Sequence, residues 1–143
     1  MTVSRRNVVR GLVTACALAA TGYCVNVLYQ TRPTQMVAHL LRLDSAPGSI
    51  RNAECESWGI TDVLTTCAFE IDAADFPELL KGWQFKPSRE SGSSHSFANG
   101  PKVGPAFPVA AAFVINNPPE FPDGGSVILV ADRSRSRAQV HYY

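Results

Sequence analysis

Residues 50–71 read IRNAECESWGITDVLTTCAFEI, and their alternation decides the fold. Val63, Thr65, Cys67, Phe69 and Ile71 fall on one face of a strand, and Leu64, Thr66, Ala68 and Glu70 on the other. Residues 50–57 supply the strand before it. With a turn centred near Thr61, Cys55 and Cys67 stand opposite each other across a hairpin, whereas a turn centred on Trp58 and Gly59 misaligns them by several residues. Two cysteines in an oxidising compartment read as one disulfide, and two free buried thiols are the competing reading. A metal site needs more ligands than this pair, and no His lies within 15 residues of either cysteine.

The remaining segments extend this hairpin into a small sheet. Asp72, Asp75, Pro77 and Glu78 compose a helix start. Phe76, Leu79, Leu80 and Trp83 follow at i, i+3, i+4, i+7, a stripe of about two turns to be packed on the sheet, with Gly82 as its stop. Residues 87–108 hold four Pro, three Gly and five Ser, a composition expected to be disordered or to form a loosely packed flap. The apolar run 109–115 suits a central strand, 116–125 is a connection, and 126–131 and 138–143 form a hairpin across 132–137. The expected class is α+β: about five antiparallel strands with one short helix on them.

The N-terminus carries a different signal. Arg5, Arg6 and Arg10 precede residues 11–31, which contain no Lys, Arg, Asp or Glu. A basic head before an uncharged run marks export or membrane anchoring. As a helix, residues 11–29 extend about 28 Å, near the thickness of a hydrocarbon core. Ser4-Arg5-Arg6 resembles the bacterial twin-arginine export signal. Ala17-Leu18-Ala19 has the small-x-small form of a signal-peptidase site, and Val13-Thr14-Ala15-Cys16 weakly resembles a lipoprotein box. An uncleaved span orients the chain with its head in the cytoplasm. The organisation read here is residues 1–35 as export signal or single transmembrane anchor, 36–49 as juxtamembrane linker, and 50–143 as an extracytoplasmic domain. Within 31–43, Met36, Val37, Leu40, Leu41 and Leu43 recur at helical spacing, so this stretch either extends the membrane helix or docks as a short one, with Pro33 at its start or as a break.

Charge narrows the function classes. Residues 36–143 carry nine basic and twelve acidic groups, a formal charge of −3. That balance offers no electrostatic footprint for nucleic acid and no polybasic belt for anionic lipid. The chain holds no phosphate-binding glycine loop, paired CxxC, HExxH or GxSxG, so no cofactor or metal is expected. Ser94-His95-Ser96 offers a base beside hydroxyls, but a triad needs a third, orienting group on a rigid frame. Glu54 and Glu56, with Glu70 on the next strand, read as a solvated polar face. His141 is expected to be exposed or at an edge on a terminal strand. Arg133, Arg135 and Arg137 at a hairpin tip read as a solubilising charged end, or as a grip for an anion if a strand holds all three on one face.

The reading is a membrane-anchored extracytoplasmic domain, single-pass with its C-terminal part outside the cytoplasm, acting as a non-enzymatic interaction or envelope-associated module. Its candidate contacts are His95, Phe97, Lys102, Arg133, Arg135 and Arg137, and its expected partners are the membrane through residues 11–29 and an envelope protein. The alternative is a small exported hydrolase using His95, released after signal cleavage. Intact mass separates the two locations. A tethered domain gives the full-length mass in the membrane fraction, with two thiols alkylated only after reduction. A released one gives a mass shortened past Ala19 in the soluble fraction.

Overall fold

In the computed structural model the described residues are 32–60, 62–119 and 124–143. The anchor, cleavage and export readings of residues 1–31 lie outside them. Among the described residues no helix is long and apolar enough to cross a membrane.

The two-residue alternation of the 50–71 hairpin appears as strands β1 (Arg51–Trp58) and β2 (Leu64–Glu70). Cys55 pairs with Cys67 and Trp58 with Leu64, both symmetric about position 61, and Cys55 and Cys67 are joined by a disulfide. Asn52, in the left-handed region at φ 51°, accompanies a bulge between Arg51 and Glu54. Strands β3 (Lys86–Ser88), β4 (Gly92–Ser93), β5 (Pro108–Val109), β6 (Ala111–Asn116), β7 (Ser126–Ala131) and β8 (Arg137–Tyr142) follow. The main sheet has six antiparallel strands in the order β1-β2-β8-β7-β6-β3, one more than the sequence suggested, because the short β3 adds to β6. Strands β4 and β5 form a separate two-stranded ribbon.

Residues 33–43 pack against the sheet. Helix α1 (Pro33–Leu40) starts at its proline and buries Val37, Ala38 and Leu40, with Leu41 just beyond. Val37, Leu40 and Leu41 meet Cys67, Phe69, Ile71, Val127, Leu129, Ala138 and Val140 in one core. Part of the stretch read as linker therefore belongs to the packed domain.

The expected two-turn helix after Asp72 is a five-residue 3₁₀ turn, Phe76–Leu80. Phe76, Leu79 and Trp83 are buried as the stripe required. Beyond the turn the Trp83 indole donates to the Leu40 carbonyl at 2.8 Å. Gly82 serves close approach: a Cβ there would lie 1.9 Å from the Leu41 carbonyl oxygen.

Residues 87–108, expected to be disordered or loose, are instead anchored to the sheet by their central and later part. Phe97, Val103 and Phe107 are buried, and Phe97 and Phe107 join Val109, Ala112, Ile128 and Val130 in a second core on the opposite sheet face. Ser94 N–H donates to the Phe107 carbonyl at 2.9 Å, and Phe107 N–H to Ser94 Oγ at 3.2 Å. Aromatic burial thus orders a segment whose serines and glycines alone have little to bury. The sheet is covered by α1 and the 3₁₀ turn on one face and by this flap on the other.

The disulfide closes a short loop and contributes on the order of 3 kcal/mol through the unfolded chain. Urea unfolding of the Cys55→Ala/Cys67→Ala variant is expected to show a loss of about that size, with the α+β circular-dichroism signature retained.

Candidate functional site

Register decides which polar side chains the flap covers. Glu56, Thr66, His141 and Ile128 lie in one row across β1, β2, β8 and β7, and Glu54, Ala68, Gln139 and Val130 in the next. All project toward the flap, since their neighbours Cys67, Val140 and Leu129 belong to the α1-side core. Thr66, Gln139 and His141 are buried, while Glu54 and Glu56 on the outer strand are exposed.

The buried trio is polar and incompletely satisfied. Thr66 Oγ1 and His141 Nδ1 share a hydrogen bond at 3.3 Å. Gln139 Nε2 donates to the Val103 carbonyl of the flap at 2.9 Å. Among the described residues, Gln139 Oε1 and His141 Nε2 find no hydrogen-bond partner. Burial, reinforced by the charge of His95, pulls the His141 imidazole from 6.5 down to about 4. The position at 1% exposure corrects the expected edge placement: β8 is internal, between β2 and β7.

His95 sits in the flap on a 3₁₀ turn, Ser94–Ser96, with Nε2 and the Gly104 carbonyl oxygen 3.0 Å apart. Gly104, at φ +66°, lies so close to the sheet that a Cβ would stand 2.8 Å from that of Ala68. The hydroxyls beside His95 serve the backbone: Ser94 Oγ accepts from Phe107 N–H, and Ser96 Oγ donates to the Ser93 carbonyl at 2.6 Å. A cleft of about 100 Å³ is lined by Glu54, Glu70, Arg137, Gly104 and Phe107, among others, and is smaller than ordinary small-molecule pockets. Two open grooves of about 450 and 490 Å³ flank Arg42, which caps the Trp83 ring at 4.8 Å. Among the described residues no group of three or more His, Cys, Asp or Glu is placed to hold a metal ion.

The arginine tip is divided. Asp132 organises the 132–137 turn by accepting from Ser134 Oγ, from the N–H groups of Ser136 and Arg137, and from the Arg137 guanidinium at 3.1 Å. Burial pushes its carboxyl up, but these bonds outweigh that and leave it below 3.8. Arg135, at φ 56°, reaches the Phe76 ring on the α1 side, while Arg137 covers Phe107 on the flap side, each at 5.4 Å. The strand breaks at the turn, so the three arginines share no face. Of the other candidate contacts, Phe97 is buried, His95 half-buried, and Lys102 and Arg133 exposed.

The surface feature missed in the sequence is the hairpin end. Trp58, Ile60 and Val63 are 69%, 98% and 48% exposed, the large exposed apolar side chains among the described residues. The disulfide register already carried the signal, since it places 59–63 in the turn and off the sheet.

Comparison with known protein families, curated proteins and solved structures finds no match to this chain.

His141 makes the domain acid-sensitive in a defined window. The unfolded chain takes up a proton near pH 6.5 and the folded one only near 4. Stability from this group is therefore complete above about pH 6.5 and is lost as pH falls to 4, by roughly 3 kcal/mol. Asp132 acts lower: its contribution is present above 3.8 and fades as pH falls through its depressed value. Unfolding midpoints of His141→Gln are expected to be flatter than the parent's between pH 6.5 and 4, and to keep the loss at lower pH.

Proposed function

We propose that this chain is an extracytoplasmic binding module, held at the membrane by its N-terminal segment, that meets its partner through the β1–β2 hairpin. The observation that carries this reading is the exposure of Trp58, Ile60 and Val63 at the end of one hairpin whose strands are joined by the Cys55–Cys67 bridge. Exposed aromatic and branched side chains gathered at one end of a rigid element are the composition of contact surfaces. The disulfide fixes the register of the two strands that carry that end. The basic head and uncharged run of residues 4–31 support the membrane location.

The hydrolase alternative finds less support. His95 is close to a carbonyl, and its flanking serines are committed to backbone bonds. His141 is sealed and titrates near 4, far from a working base at neutral pH.

A photo-crosslinking residue placed at Ile60 in the full chain, in its native membranes, is expected to give one discrete protein adduct. The same probe at Lys81, exposed on the α1 side, is expected to give none. Equal, diffuse labelling from both positions removes the reading.

A further inference from the structure

We propose that the outer edge of β1 takes up an extended, basic segment of a partner protein as an added strand. This rests on the hairpin being the contact surface and specifies the chemistry of what it meets.

The two edges of the main sheet differ as templates. β3 has three residues, and Pro87 offers no N–H. β1 has eight, and among the described residues it pairs only with β2. Cys55 and Cys67 have Cα atoms 4.1 Å apart, the close spacing of a non-hydrogen-bonded antiparallel pair. Ser57 and Thr65, two positions on, are of the same class, and their hydroxyls meet at 2.9 Å. The N–H and C=O groups of Cys55 and Ser57 therefore point outward from the edge. The bulge before Glu54 ends this regular template, leaving residues 54–58.

The side chains on the exposed face of that template are Glu54, Glu56 and Trp58. An antiparallel strand laid on the edge places an apolar residue opposite Trp58, then cations opposite Glu56 and Glu54. Opposite charges directly across a ladder stabilise it and like charges oppose it. A second copy of this chain fits badly, because antiparallel pairing about Cys55 sets Glu54 against Glu56 twice over. An anionic bilayer fits badly too, since Glu54, Glu56 and Asp62 surround the apolar end. The partner is thus read as a strand of pattern apolar-x-basic-x-basic.

The probe is a synthetic peptide of alternating threonine and lysine headed by valine, titrated against the full chain in detergent micelles. A glutamate-for-lysine peptide and anionic phosphatidylglycerol vesicles serve as the competing ligands. The expected result is selective binding of the lysine peptide, with new hydrogen-exchange protection at the N–H groups of Cys55 and Ser57 and none at Glu54 and Glu56. In Glu54→Lys/Glu56→Lys, affinity for it falls by roughly tenfold or more and preference turns to the glutamate peptide. Ser57→Pro, which removes an outward N–H while sparing the ladder to β2, abolishes binding of both. Equal binding of the two peptides, protection away from β1, or vesicle binding without peptide binding overturns the proposal. If Ile60 still yields its discrete adduct while the lysine peptide fails, strand addition falls and the contact surface stands. Loss of adduct and peptide together removes both.

Discussion

The pairing of β2 with β8, Cys67 opposite Val140 and Thr66 opposite His141, sets the side of the sheet on which every later contact is made. Side chains alternate with a period of two, so a slip of one residue would exchange the faces of both strands. In this register the apolar set of β2, β7 and β8 meets Val37, Leu40, Leu41, Phe76 and Leu79. The mixed set, Thr66, Gln139 and His141 among Ile128 and Val130, is turned to the flap.

Covering that mixed face is costly, and the fold offsets the cost with aromatic packing. A buried polar group without a partner costs about 1–3 kcal/mol, and Gln139 Oε1 and His141 Nε2 are both in that position. Against this stand buried Phe97, Phe107 and Val103, the Gln139 bond to the Val103 carbonyl, and the paired bonds between Ser94 and Phe107. The flap is held to the sheet through Gln139 and the aromatic side chains, and beneath it His141 stays bonded to Thr66.

At the other edge, β1 is ordered by a covalent bridge and lined by exposed carboxylates. Its hairpin turn holds apolar side chains in water, where they gain nothing for the fold. Stability is concentrated between α1, the inner strands and the flap. The edge is free to present a surface that serves something other than packing.

The two strands of the β1–β2 hairpin and the faces of β2 were legible in the sequence, because alternation is local; the cysteine spacing tied the turn position to a disulfide, and the structure supplied that bridge and with it the register. The stripe of Phe76, Leu79 and Trp83 was legible for the same reason, though not its 3₁₀ form. The partner of the Trp83 indole, the Leu40 carbonyl 43 residues away in the chain, was likewise not legible. Only the tertiary structure decided that the last strand is internal, that His141 is sealed, that Arg135 and Arg137 reach opposite faces, and that residues 86–109 pack. Apart from the arginines, which the 132–137 turn divides, these depend on strand order and on packing between residues distant in sequence. No local pattern encodes which strand a chain end will lie beside.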